Sequence, residues 1–471
     1  GGIAVNDEQR AAFNSFMEER IEIPTHLKGN QRKQKSGKTL NYNKSDATTQ
    51  RGLDASRKAE WDKWKDFNAG QLIRGELLEE LIREGHKLIP TQWIETDKNA
   101  HLQKLGKYIK ADFKSRLVGC GQFEDSTELR TDSPTCELEA LNLIISYAAC
   151  EGLRLKCGDI RNAYFQGKEM DRVLLLKPPR GGLPGEGDVS DAAILARVPI
   201  YGIGDSGRMF WKKLREEFLK VGLKANRISK ALYSFAKDGV VQVMVGTHVD
   251  DILWAAHSDH EYLIKKILST FDIRKVEENS FRFCGREIEQ DKEGNITVTC
   301  RSSVENVLPI NFQSKGRNAT DKATPGEIGQ LRSVIGSLAW VCRQCRPGLS
   351  YAVSRRQSIA AAAQVKDLHF ANKTLQQAKA DSHLGMTFKA RAFDWHDVVI
   401  VSISDASFAA EKLVVKDKTF PRRSQKGRIT ALADPKIWDG DKANMHIIGW
   451  RSTMIKRVCR STFNTETQAM V

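Results

Sequence analysis

Apolar and polar positions alternate along this chain in two periods, and the change from one to the other marks its elements. Trp61, Trp64 and Phe67 recur at helical spacing, the pattern of core packing. Segments 91–96 and 107–118 alternate as strands of a small sheet. Asp132-Ser133-Pro134 predicts a helix start, with Pro in the first turn. Leu138, Leu141, Ile145 and Ala148 then form a buried stripe that ends at Gly152. A strand is expected at 153–158 and a helix at 207–221, with Phe210, Leu214 and Phe218 on one face. Strand 241–247, the turn His248-Val249-Asp250-Asp251 and strand 252–256 form a hairpin, followed by helix 259–271. Further strands fall near 281–289 and 294–300, and the whole order predicts a split βαβ sheet. Three helices follow, 326–345, 348–363 and 364–380. A buried strand at 398–405 and another at 445–450 then open a new α/β unit near 390.

A length of 471 residues has room for about three domains. The stretch 27–46 carries five Lys or Arg before Thr39 and almost no apolar residue, so 1–55 is expected to be a disordered basic linker. No window reaches the roughly 18 apolar residues of a membrane span. The start Gly-Gly-Ile-Ala-Val has no Met and no signal-peptide pattern, which suggests a fragment or a processed product. The formal charge of +15 suits a polyanionic partner, nucleic acid first, with general solubility as the plainer reading. Nine cysteines without framework spacing point to a reducing compartment. The lone Cys342-x-x-Cys345 lacks a second ligand pair, and Cys342 continues an apolar helix stripe, so core packing is preferred over zinc.

The chemistry lies in two acidic groups. Asp159 ends the strand RLKCGD, and Asp250 and Asp251 occupy the tight turn of the next hairpin. Neighbouring strands would bring these carboxylates together, where they repel unless cations neutralise them. Oxygen-only ligands favour Mg²⁺, and two such ions about 3.5–4 Å apart can clamp an in-line phosphoryl transfer. Asp is also an ordinary turn residue, so the spacing alone supports no more than a metal-dependent phosphoryl transferase.

From about residue 60 onward the chain resembles the reverse transcriptase and ribonuclease H region of copia-type retrotransposon Pol polyproteins. FKSRLVGCG (113–121) is similar to the family's KARLVARG, GDIRNAYFQG (158–167) to MDVKNAFLNG, and PIYGIGDSGRMFW (199–211) to LYGLKQAPRAW. GTHVDDILWA (246–255) resembles the YVDD box and FCGREI (283–288) the FLGIEI strand. KATP (322–325) with 331–354 resembles the STP and YRSLIGSL stretch. SDASFA (404–409) and STFNTETQAM (461–470) resemble the ribonuclease H motifs DSDWAG and SSTEAEYMA. Eight boxes in the family's order make the resemblance specific.

The resemblance implies an α+β right-hand polymerase with fingers, ferredoxin-like palm and helical thumb, followed by an incomplete ribonuclease H-like α/β domain. Its boundaries would be fingers and palm at 56–310, thumb or connection at 311–388, and partial ribonuclease H at 389–471. It implies RNA-directed DNA polymerase activity by two-metal-ion catalysis. Asp159, Asp250, Asp251 and the carbonyl of Ile160 would hold two Mg²⁺, with Mn²⁺ able to substitute. Lys114, Arg116, Ala163 and Tyr164 would bind the dNTP, with the Tyr164 ring excluding a 2′-hydroxyl. A solvated charge is the other reading of Lys114, and core packing the other reading of Tyr164. His248, Phe283, Cys284 and Gly285 would contact the primer. Asp405 and Glu466 match the first two ribonuclease H carboxylates, and hydrolysis is not expected without later elements. Implied partners are a primed RNA or DNA template, dNTPs, integrase and the rest of ribonuclease H, in the cytoplasm within a virus-like particle or in the nucleus. Three departures stand out: His248 for Tyr, Gly204-Asp205 for Lys-Gln, and Gly119-Cys120 for Ala-Arg. They favour a competing reading, a decayed or domesticated nucleic-acid-binding remnant. A metal nuclease using Asp405 and Glu466 is a third.

Overall fold

The computed structural model describes residues 39–470, apart from 101–102, 104–108, 126, 416–417 and 458; over 410–422 it describes backbone alone. The chain divides into two units, 1–133 with 162–213, and 134–161 with 214–471. Among the described residues, no helix is long and apolar enough to cross a membrane.

In the first unit, helix α1 (Ala47–Asp66) begins where Asp46 accepts from the Thr48 and Thr49 amides at 2.9 and 3.0 Å. Order therefore starts before residue 55, against expectation. Leu53, Trp61 and Trp64 on this helix are buried, and that apolar face outweighs the polar composition around it. The part of the expected linker at 1–38 lies outside the described residues. Strands β1 (Gly70–Ile73), β2 (Leu88–Asp97), β3 (Phe113–Gly119), β5 (Leu175–Lys177) and β6 (Ala193–Ala196) form one sheet in the order β1-β6-β5-β2-β3, with helix α2 (Gly75–Arg83) beside β1 in sequence. Of the strand expected over 107–118, residues 107–108 lie outside the described residues and β3 starts at Phe113. Its core includes Trp64, Leu117, Ile194 and Ile200.

In the second unit, helix α3 (Leu138–Cys150) starts four residues after Pro134 rather than at it. The Cys136 amide donates to the Thr247 carbonyl at 2.8 Å, so this approach stays extended along a strand. Strands β4 (Leu155–Ile160), β7 (Lys224–Ala225), β8 (Leu232–Lys237), β9 (Val240–His248), β10 (Asp251–Ala256) and β11 (Ile273–Glu278) form a sheet in the order β11-β4-β10-β9-β8-β7. β10 is antiparallel to both β4 and β9, so β4 and β9 run parallel with β10 between them. That is the split βαβ arrangement. α3 lies on this sheet, with Ile144, Ile145 and Ala148 fully buried. Phe218 of helix α4 (Ser206–Lys220) stacks on Tyr233 of β8 at 4.5 Å, and helix α5 (Glu261–Leu268) buries Leu263, Ile264 and Ile267.

The single strand expected at 281–289 is a hairpin, β12 (Ser280–Phe283) and β13 (Arg286–Gln290). Its two-residue turn puts Cys284 at φ 48° and Gly285 at φ 79°, the left-handed pair that tight hairpins require. β14 (Ile296–Thr299) and β15 (Met386–Phe388) complete that sheet, and α6 (Arg301–Glu305) follows β14. Helix α7 (Pro325–Gln344) opens on a capping box between Thr324 and Glu327. The helix expected over 348–363 is shorter, α8 (Ser350–Ile359), with 3₁₀ turns at both ends. Helix α9 (Val365–Ala380) closes the group. Cys342 and Cys345 are buried in the core, as the apolar stripe predicted. Last come β16 (Val399–Val415), β17 (Lys418–Ala433), β18 (Met445–Met454) and helix α10 (Thr462–Met470). The strand expected to be buried at 398–405 is instead an edge, with Ile400 69% and Ile403 49% exposed. Among the described residues, the order β16-β17-β18 gives it one neighbour.

Candidate active site

Three strand ends of the second unit place the acids. β10 pairs with β4 so that Asp251 faces Asp159 across the ladder. The Ile160 amide donates to the Asp250 carbonyl at 2.9 Å, tying the end of β4 to the hairpin turn. His248 and Asp251 close that turn as register partners, leaving Val249 and Asp250 at its tip. Val249 sits at φ 57°. A β-branched residue is strained there by about 1–3 kcal/mol, a cost that surrounding structure must over-determine.

Asp251 is half-buried and its carboxyl is pushed up to about 7, first by burial and then by the charges of Asp250 and Asp159. The exposed Arg274 guanidinium stands 3.8 Å from Asp159. Burial pushes His248 below the usual imidazole range, with Arg286 adding and Asp250 opposing, so near neutral pH it is an uncharged ring beside the acids. Cys284, at the tip of the β12–β13 turn, has its thiol raised to about 12 by burial, with the charges of Asp251 and Asp250 contributing. A Cβ on Gly285 would come within 2.9 Å of the Trp340 ring, so only Gly fits there. Phe283 is 1% exposed and points into the core, so its side chain offers a primer nothing. Among the described residues, no three His, Cys, Asp or Glu side chains close around a common point. The carboxylates share an edge and do not form a cage.

The first unit carries a different cluster. Lys114 and Arg116 lie on the same side of β3, two residues apart. Burial, then the neighbouring charges of Arg116, Lys98 and Lys63, lower the Lys114 ammonium. The Arg116 guanidinium lies 4.6 Å above the Tyr201 ring, and Tyr164 packs against the same ring at 4.9 Å. Tyr201 is thus the shared centre of two residues singled out from sequence, and it was missed. Its place in PIYGIGDSG gave no signal, because the stack is long-range. Asn162 at φ 47° turns the chain into the 3₁₀ segment Ala163–Gln166, where Ala163 is buried and Tyr164 partly exposed.

Two departures from the family pattern have packing explanations. Asp205 is buried and accepts from Arg172 Nε and a terminal guanidinium nitrogen at 3.0 and 3.1 Å, while Arg172 also stands 2.6 Å from Glu124. Its charge is engaged inside the protein, not presented to a ligand. Gly119 donates to the Tyr201 carbonyl at 2.8 Å, and a Cβ there would come within 2.7 Å of Ile203. A Cβ added to Gly202, which sits at φ 90°, would meet the Gly119 carbonyl oxygen at 2.1 Å. At 119 itself the Ala of the family motif would press on the Ile203 and Ile200 side chains, which would have to shift to admit it. Asp405 is exposed on β16 and Glu466 half-buried on α10, and these two elements pack together.

A family described as reverse transcriptase (RNA-dependent DNA polymerase) matches residues 80–325, just over half of the chain. The retrovirus-related Pol polyprotein from transposon RE2 of Arabidopsis thaliana is 26% identical over 284 residues, covering 57% of this chain and 19% of that protein. The corresponding polyprotein from transposon RE1 is 23% identical over 396 residues, 80% of this chain and 25% of that one. The chain spans about a fifth to a quarter of the length of these curated relatives. A solved structure of a foamy viral protease-reverse transcriptase dRH in complex with ds DNA aligns at TM-score 0.49 and 10% identity, over 99% of this chain and 69% of that one.

Proposed function

We propose that this chain, which belongs to the reverse transcriptase (RNA-dependent DNA polymerase) family, adds dNTPs to a primer 3′-hydroxyl on an RNA or DNA template. On this reading it is a right-hand polymerase. The first unit would be the fingers, the split βαβ sheet a ferredoxin-like palm, helices α7–α9 the thumb, and 389–471 an incomplete ribonuclease H-like domain. The observation that carries the reading is the pairing of Asp251 with Asp159 beside the Asp250 turn, with the Asp251 proton held to about 7. Carboxylates crowded in this way are what a divalent cation relieves.

The donor set fits Mg²⁺, because every ligand is oxygen and Mg²⁺ is usually held by one or two carboxylates plus substrate phosphates. Asp159, Asp250, Asp251 and the Ile160 carbonyl would hold two ions, with Mn²⁺ as substitute. When bound, the ions supply charge neutralisation to the attacking and leaving oxygens of the transferred phosphoryl group. The chain's own work is positioning. Asp251 must give up its proton to hold a cation. Lys114 and Arg116 would reach the triphosphate as charged donors. Tyr164, fixed against Tyr201, would exclude a 2′-hydroxyl. A rigid ring discriminates by steric fit, and its neighbour keeps it from yielding. The competing binding-only reading drew on Asp205, His248 and Gly119; the Arg172 pairing accounts for Asp205, and Gly119 packs closely on Ile203.

The test is dNTP incorporation on a primed homopolymeric RNA template with Mg²⁺, comparing the chain with Asp250→Asn. Incorporation by the parent that vanishes in the variant is expected. A folded parent that binds duplex and incorporates nothing would establish the binding-only reading instead.

A further inference from the structure

Arg286, the first residue of β13, has 0% of its surface exposed. It belongs to FCGREI, the segment similar to FLGIEI, so a guanidinium stands where that pattern has Ile. One terminal nitrogen donates to Asn142 Oδ1 at 3.0 Å. Among the described residues, Nε and the other terminal nitrogen have no hydrogen-bond partner. The adjacent acid, Glu287, is engaged elsewhere: it accepts from the Ser302 amide at 3.2 Å, from the Ser302 hydroxyl, and from the Thr299 hydroxyl at 3.3 Å. A buried cation without a counter-ion is strongly destabilising, so this position calls for a negative charge.

The groups within range of that charge are thiols. Burial lowers the Arg286 guanidinium, and Cys284, Cys300, Cys345 and Cys136 oppose the shift, in that order. Two of the four touch. Cys300, the N-terminal cap of α6, hydrogen-bonds to Cys345, the C-terminal cap of α7, and these helices pack on each other. Both side chains lie in the core, at 2% and 0% exposure. The contact with Cys345, then burial, raise the Cys300 thiol, so Cys300 keeps its proton and donates it to the Cys345 sulfur. That makes Cys345 the sulfur that can carry negative charge beside the guanidinium.

We infer that Cys300 and Cys345, with Arg286 beside them, form an oxidisable dithiol that a hydroperoxide converts to a disulfide. The Cys345 sulfur attacks one oxygen of hydrogen peroxide and the O–O bond breaks. The departing hydroxide takes the proton that Cys345 gave up and leaves as water, with Cys345 now a sulfenic acid. The two open guanidinium nitrogens are donors for the negative charge that develops on that oxygen. The Cys300 sulfur then attacks the Cys345 sulfur, the S–O bond breaks, and the hydroxide leaves as a second water with the Cys300 proton. Two thiols are oxidised to one disulfide, and one peroxide is reduced to two waters. The bond ties the end of α7 to the start of α6 and closes the chain between residues 300 and 345.

The experiment treats the reduced full chain with dilute hydrogen peroxide, blocks the remaining thiols with N-ethylmaleimide and maps linked peptides by mass spectrometry. A Cys300–Cys345 link is expected, with a melting temperature raised by roughly 5–10 °C and both reversed by dithiothreitol. Cys300→Ser should strand Cys345 as a sulfenic acid, read as labelling by dimedone. Arg286→Met should form the link about 10-fold or more slowly, and Arg286→Lys, which keeps a cation there, should recover part of that rate. A parent in which the partly exposed Cys459 reacts while Cys300 and Cys345 stay free overturns the proposal. So does a Cys342–Cys345 link in its place, or a folded Arg286→Met chain that links at the parent's rate. If Arg286→Met does not fold, the parent and Cys300→Ser decide the matter by themselves.

Discussion

Replacing Asp251 with Asn is expected to stabilise the fold at pH 8 and leave it almost unchanged near pH 4. The folded chain holds the Asp251 proton up to about 7, against an ordinary value of 3.8. Below pH ~4 both folded and unfolded states are protonated, and the group costs nothing. Between pH ~4 and ~7 the unfolded chain ionises while the folded one keeps its proton, so stability falls as pH rises. Above pH ~7 both are ionised and the cost stays constant. A shift of roughly three units corresponds to a ceiling of about 4 kcal/mol. Asp251 is only half-buried, and solvent screening discounts this to about 1–2 kcal/mol. Asn keeps the shape, removes the ionisable charge, and relieves Asp250 and Asp159 of a neighbour. The assay is urea unfolding followed by far-ultraviolet circular dichroism at several pH values between about 4 and 8, with a chelator present to exclude divalent cations. The parent should lose stability across that window and the variant should not. Parallel pH profiles, or a variant less stable than the parent at pH 8, would refute the reasoning that burial and the two neighbouring carboxylates hold the proton.

Three more perturbations follow from the same structure. Val249→Gly removes a β-branched side chain from φ 57° and is expected to gain about 1 kcal/mol in urea unfolding; no gain would mean that the turn relaxes around Val. Arg172→Met leaves Asp205 and Glu124 buried without their cation, at a cost of about 3–5 kcal/mol. A thermal melt within a degree or so of the parent would show that pair to be energetically idle. Gly202→Ala forces a Cβ to 2.1 Å from the Gly119 carbonyl at φ 90°, which is expected to cost more than about 2 kcal/mol. It should also loosen Tyr201, read as an altered fluorescence of the tyrosine stack, and an unperturbed stack would contradict the role given to this glycine.

Much of the architecture was legible in the chain because burial imposes a period on side chains. The stripe from Leu138 to Ala148 marked α3, the apolar runs either side of Val249-Asp250 marked the β9–β10 hairpin, and Cys342 fell in the core face of α7. Where periodicity competed with other forces, the reading slipped. Pro134 looked like a helix start, but a backbone bond from Cys136 to Thr247 holds that segment extended. The turn at Cys284-Gly285 was hidden inside one apolar run, because Cys is an unusual residue for φ 48°. The apolar 398–405 segment read as buried, yet it lies at a sheet edge.

By itself, then, the order of residues determined which segments are strands or helices, which acids sit at strand ends, and which family the boxes belong to, since each of these is a local pattern. The tertiary structure alone decided which partners those residues meet. Asp205 reads as a misplaced acid until Arg172 is found against it. Arg116 and Tyr164 read as separate motifs until both are seen on Tyr201. Arg428 and Arg451 become cross-strand partners only once two strands are in register. Periodicity reports whether a side chain is buried, whereas charge pairing, aromatic stacking and strand register depend on residues distant in sequence, which no local pattern encodes.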